Sequence, residues 1–587
     1  MPTMSPARKT RSMAPARFKG GRRSPNVGVA QVHKTYSETF NAQILALQLD
    51  QEDPIVSAAN ERKRIMTMFA DRESVKEDSR AAQIFKNFPT ELHEKIVKFL
   101  PHDRDVASYM LICKSSGSAI CDFVWRMRFE EKYDLPRLPT GSSKPDTGSL
   151  ALQYRCRQLV LSQYTTFNVN RIGGRIDDKV RLALIRKQQN CLDLLKDLLI
   201  ESDARIVEEN GIRKVSGQNI DVIRNMVSYV GEGSHVDILD AVLCTSHRYH
   251  KYDDIGSTYC SDTLVFVIQL ALTPLSLDPS FATQPVAHFD LSQSQVYATA
   301  KTQPVFVGKY KQYINALWLL NCVNHFKFHL KTRGDGLLSQ EYYDLEPHLR
   351  PQFWTGLLKS GTQVLKRHWK GAHGFVNLLD LDAIRDDRGR IRDIYQDDGD
   401  DALNYQDFVL VFDEQNFPSK KWPEDWDHEL CSNPYSHPPA QTGTHIASAR
   451  SSPRKRRRIE EEEITKPESM SFYGTAGDIN GNGTAFMYGQ IHSLPEQHGI
   501  PGFQRIVMKR FGFINDMINP DRCYNYEGCV FPGGTIMAGR WWTTGSDPTH
   551  DSTYSGPFLW WSCEDSVEED LPAPADDIIE LARLFMG

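Results

Sequence analysis

The chain has 587 residues, a length that suggests about two to four domains rather than one core. Hydrophobic residues make up 40% and charged residues 25%, which excludes a wholly disordered chain and suits a folded protein with polar segments. A formal net charge of −6 argues against a chain that is basic throughout and grips nucleic acid over its whole length.

Residues 1–75 read as a mostly disordered basic tail, with eight Lys/Arg and no acid from Met1 to Ser37. The charge is not followed by an apolar stretch, so no secretory signal is expected. The 11 cysteines are dispersed and form no CxxC pair, the usage of reduced thiols in nucleus or cytoplasm. Three short helical patterns follow between 80 and 135. Pro89 suits a helix start and Glu91 its dipole, while Leu92, Ile96, Val97 and Leu100 make an apolar face that Pro101 ends. Asp103 or Asp105 can cap a second helix carrying Val106, Ile112 and Cys113. A third carries Ile120, Phe123, Val124 and Met127.

Residues 150–428 read as a helical to mixed middle domain. Cys191, Leu194, Leu195, Leu198 and Leu199 share one helical face. Further helices are expected over Asn219–Val230, from a capping box at Ser234 over Val236–Cys244, and over Tyr310–Leu330. The most apolar window, Leu264–Leu272, is far shorter than the roughly 18–20 residues of a membrane span. Phe408–Phe412 reads as a buried strand. Residues 429–469 are a polar linker, expected to be disordered, with the basic run Arg454, Lys455, Arg456, Arg457 and Arg458 as the candidate nuclear-localisation segment.

Residues 470–563 are rich in glycine and aromatics and read as an antiparallel β domain. Pro532-Gly533-Gly534 is placed as a turn between strands, and Gly539 as a bend before Arg540, Trp541 and Trp542. Trp541, Trp542, Trp560 and Trp561 are the candidates for a target-binding surface if exposed, and for core if buried. Residues 564–587 form an acidic tail with a short amphipathic helix. The fold class is therefore α+β and multidomain.

The run Phe88-Pro89-x-Glu91-Leu92, then Ile96-Val97, Leu100-Pro101, Asp105-Val106, Ile112-Cys113-Lys114 and Val124-Trp125-Arg126 resembles an F-box. The spacing carries one extra residue between Pro101 and Asp105, and two positions depart from that pattern: Phe88 replaces the usual Leu, and Ser116 stands where a Trp is common. The resemblance implies a substrate receptor of a cullin–RING ubiquitin ligase. In such a receptor Phe88, Pro89, Leu92, Ile96, Val97, Leu100, Pro101, Val106, Ile112, Cys113, Val124 and Trp125 serve a Skp-type adaptor. The Gly/Trp-rich C-terminal region, with Tyr526 to Trp542 and Gly556 to Trp561, is similar to large filamentous-fungal F-box proteins. On this reading the partners are the adaptor, a cullin and a protein target. Membrane is not expected, and nucleic acid only as a lesser expectation through the basic runs. The alternative is a non-catalytic nuclear interaction protein that uses the box only to bind the adaptor.

No Walker loop, Gly-x-Ser-x-Gly or dinucleotide fingerprint occurs, so neither catalysis nor a cofactor is expected. Asp478 to Gly483 resembles half a calcium loop but lacks the terminal Glu, and reads as a hairpin turn. His325 and His329 share a helix face without the Glu of a zinc protease, and read as core or surface rings, so no metal is expected.

Overall fold

The apolar spacing from Cys191 to Leu199 becomes the longest helix among the described residues, Asp178–Glu201, with all five residues buried. The computed structural model describes residues 87–563 apart from 113, 120–121, 137–146, 164, 168–177, 210–211, 229–235, 240–261, 282–285, 287–288, 309, 387–404, 414–425, 427–429, 431–468, 478–483, 515–516 and 519–522. All described residues lie in one compact unit, Asp53–Gly587; the other, Met1–Glu52, lies outside them, as do the acidic tail and the run Arg454–Arg458.

The helical part opens with α1 (Thr90–Lys98), α2 (Asp103–Met110), α3 (Lys114–Ala119) and α4 (Asp122–Lys132). Four helices stand where three were expected, because Lys114–Ala119 forms a short turn of its own. Then come α5 (Thr147–Leu161), α6 (Asp178–Glu201), α7 (Gln218–Val227), α8 (Asp262–Ala271), α9 (Thr273–Leu277), α10 (Phe289–Tyr297), α11 (Ala316–Lys331) and α12 (Ser339–Asp344). Between α6 and α7 stands an antiparallel hairpin, β1 (Arg205–Glu209) with β2 (Ile212–Ser216).

Two expected helices are corrected. Val236 forms an isolated bridge with Thr165, and Ile238 and Leu239 sit in a turn, so no helix starts at Val236. The helix expected from Tyr310 begins at Ala316, because Tyr313–Ile314 (β4) pairs with Phe306–Val307 (β3). Asn315 then supplies the cap, its side chain accepting from the Trp318 N–H at 3.2 Å.

The β part is a closed eight-stranded barrel. Its strands are β5 (His368–His373), β6 (Gln406–Val411), β7 (Ser469–Gly477), β8 (Thr484–Ser493), β9 (Gln504–Phe511), β12 (Tyr524–Val530), β13 (Ile536–Thr543) and β14 (Ser555–Ser562). Neighbours are antiparallel throughout, follow the chain order, and close where β14 pairs with β5. A two-residue ladder, β10 (Phe513–Ile514) with β11 (Met517–Ile518), lies between β9 and β12. Helix α13 (Leu378–Asp386) lies between β5 and β6.

The domain boundary expected at 429 therefore cuts through the barrel. Two of its strands come from the middle region, and residues 412–468 form an excursion between the paired strands β6 and β7. The strand expected at Phe408–Phe412 is β6, and Pro532-Gly533-Gly534 turns β12 into β13, with φ of 84° and 69° at the two glycines.

The period of two sorts the barrel side chains into two cores. Met537 and Trp541 of β13 point inward with Trp369, Phe408, Phe472, Ile506, Phe558 and Trp560. Ile536 and Ala538, together with Leu559 and Trp561, point outward and pack against the helices. That second core is continuous through α11, α8 and α6 to Val97, Val106 and Val124.

Candidate functional site

The motif residues divide by the direction they face. Pro89 precedes α1 with φ −57°, and its carbonyl accepts the Leu92 N–H at 3.0 Å. Val97, Val106, Val124 and Trp125 are buried in the helical core, and Ile96 and Leu100 pack half-buried against it. Phe88 is half-buried, its ring against buried His93, whose Nδ1 meets the Tyr109 hydroxyl at 2.7 Å. Pro89 and Pro101 are exposed; Cys113 lies outside the described residues.

Other apolar side chains of the same unit meet water. Leu92 is 42%, Ile112 47%, Phe123 50% and Phe99 85% exposed. Scattered apolar residues on a surface need no explanation, but four on one small helical unit are unusual. Phe99 and Phe123 were not expected there. Phe99 lies seven residues after Leu92, which on a helix gives nearly the same direction, and that spacing was the available signal. Phe123 shares α4 with buried Val124 and Trp125, so its composition alone pointed inward.

Polar bonds hold the unit to its surroundings. Arg128 of α4 donates to the carbonyls of Val97, at 3.4 Å, and Leu100, closing the C-terminal end of α1. Tyr154 of α5 donates to the Asp103 carboxylate at 2.9 Å, which ties α2 to the next layer. Arg155 lies 5.0 Å from the Trp125 ring.

The tryptophans sort differently. Trp541 and Trp560 are buried inside the barrel. Trp561 is buried outside it, its ring 5.7 Å from Tyr342 and its Nε1 donating to the Leu349 carbonyl at 2.8 Å. These three are core; Trp542 is half-buried at the end of β13.

A polar chain runs through the barrel lumen. Arg510 of β9 donates to Gln406 Oε1 at 3.1 Å, and Gln406 Nε2 stands 3.4 Å from His373 Nε2. Tyr526 also hydrogen-bonds Arg510. Burial, reinforced by Arg510, pulls the His373 ring down to about 3, so it is neutral at neutral pH.

Among the described residues no three His, Cys, Asp or Glu side chains stand together to hold a metal ion. His325 and His329 are buried against Phe289, at ring distances of 5.4 and 5.2 Å. Among the described residues no helix is long and apolar enough to cross a membrane. Family models, curated proteins and solved structures return no match to this chain.

Proposed function

We propose that the chain is the substrate-recognition subunit of a Skp–cullin–F-box ubiquitin ligase. The helical unit Thr90–Lys132 docks the adaptor, and the helical and barrel regions present the target. The observation that carries the reading is the exposure of Leu92, Phe99, Ile112 and Phe123 on a unit whose other apolar side chains are fixed in the core. Such side chains gain roughly 1.5–3 kcal/mol each when buried in a partner groove. The ligase then works by proximity. Holding target and charged ubiquitin carrier together makes the transfer effectively intramolecular, and this chain contributes binding and orientation rather than a nucleophile.

The test is an affinity capture of the full chain beside a Leu92→Ala/Phe99→Ala/Ile112→Ala variant. These exposed positions leave the melting temperature nearly unchanged, since surface substitutions usually fall within about 0.5 kcal/mol. The wild type is expected to retain the Skp-type adaptor and cullin, and the variant to lose both by at least tenfold. An untouched variant, or a wild type that captures no adaptor, overturns the reading.

A further inference from the structure

The outer wall of the barrel carries a buried belt of charge. Ile491, Ile506 and Tyr526 fill the lumen, so their neighbours His492 of β8, Arg505 of β9 and Glu527 of β12 face outward. Arg540 of β13 is the register partner of Glu527. The β3–β4 hairpin lies over this belt. From it Lys311 Nζ meets Glu527 Oε1 at 3.0 Å, and the Phe306 ring stands 5.8 Å from the Arg505 guanidinium.

Arg505 spends only one edge of its guanidinium on this pairing. Nε and Nη2 both bond Glu527, which turns Nη1 away from β12. On the β8 side, His492 is directly opposite Arg505 in the register. Among the described residues, Arg505 Nη1 and both His492 ring nitrogens are buried without a hydrogen-bond partner. The two residues are 6% and 2% exposed. A buried polar group left unmet is costly, so both call for a reason. Burial, reinforced by Arg505, pulls the His492 ring down to about 4, so at neutral pH it is neutral and offers one N–H.

Charge decides which acceptor suits these donors. Arg505 and Lys311 both act on Glu527, and Arg540 adds a third positive charge beside it. A water molecule would accept from the N–H groups and leave that excess of positive charge unbalanced, whereas an anion does both. Ser469 of β7, exposed and opposite His492, is where the row meets water.

We propose that Arg505 Nη1 and the His492 ring, with Ser469 at the entrance, form a binding site for a small free oxyanion of the sulfate or phosphate type. The ion accepts from the guanidinium edge that Glu527 leaves and from the imidazole N–H, and it balances the belt beneath the hairpin. Donors this deeply buried suit an ion of a few atoms rather than a peptide. The site owes nothing to the ligase reading.

The probe is sodium sulfate, titrated into the full-length protein at pH 7 by calorimetry, with ionic strength held constant by sodium chloride. The wild type is expected to bind one ion per chain with a dissociation constant of about 1 mM or tighter. His492→Phe keeps an aromatic ring, leaves the Arg505–Glu527 pair intact and removes the N–H, and is expected to bind roughly tenfold more weakly. Arg505→Lys keeps the charge but loses Nη1, and is expected to bind more weakly still. Binding that never saturates, or that both variants leave unchanged, marks an adventitious ion only and overturns the proposal. An Arg505→Lys protein that loses its melting transition leaves the decision to His492→Phe and the wild-type titration. No adaptor or cullin enters the assay, so its failure is separate from failure of the ligase reading.

Discussion

Glu527 joins three parts of the molecule through one carboxylate. Its Oε1 accepts from Arg505 Nη2 at 2.6 Å and Nε at 3.0 Å on β9, and from Lys311 Nζ at 3.0 Å ahead of β4. Burial pushes the acid upward, but Arg505 and Lys311 outweigh it and hold it at about 2, below the ordinary 4.5. A depressed acid stabilises the fold above its unfolded value and loses that contribution as pH falls towards the folded one. The Glu527→Gln variant leaves Arg505 buried beside a neutral amide, at a cost of about 3 kcal/mol near neutral pH. Urea midpoints of the two proteins are therefore expected to differ at pH 7 and to converge between pH 4.5 and 2. A gap that stays constant across that window would refute the assignment. None of this pairing was legible in the sequence, because its three members lie on separate elements and meet only through the barrel register.

At the scale of elements, legibility followed local pattern. The face from Cys191 to Leu199, the strand at Phe408 and the turn at Pro532 each carry their signal within a few residues. β5 does not: His368–His373 has one large apolar side chain, Trp369, and is buried by its neighbours β6 and β14 rather than by its own composition. In the unit from α1 to α4, the exposed residues Pro89, Leu92 and Ile112 were legible as part of the apolar pattern. Its inward half, Val97 to Trp125, shares the same apolar chemistry, so only packing could separate the two. Gly539 shows the limit most clearly. It lies in the middle of β13, directly opposite Gly528 of β12, and the Phe558 ring occupies the space both leave. A Cβ at Gly539 would stand 2.3 Å from the Glu527 carbonyl oxygen and 2.4 Å from Gly528 Cα, both backbone. Gly539→Ala is therefore expected to destabilise the barrel by about 1–3 kcal/mol, read as a lower urea midpoint. An unchanged midpoint would contradict the close approach.

For the whole molecule, the decisive fact is where the barrel closes. A polar linker between a helical region and a glycine-rich one resembles a domain boundary in composition. Composition cannot reveal that β5 and β6 on one side pair with β14 and β7 on the other. Phe408–Val411 pairs with Tyr473–Ala476, and Trp369–His373 with Phe558–Ser562. The helices add to the seam. Arg540 of β13, over the Trp318 ring of α11, donates to the Gln303 carbonyl at 2.8 Å, and Trp561 bonds the Leu349 carbonyl. A protease site inserted between Thr442 and Gly443 should thus nick the chain without dividing it. Two independent domains would separate once cut, because nothing but the linker would join them. A barrel that shares its strands across the cut keeps its ladders and both cores. The two fragments are expected to co-elute on size exclusion in native buffer and to part only in denaturant. Separation in native buffer would show that the boundary at 429 divides two folds after all.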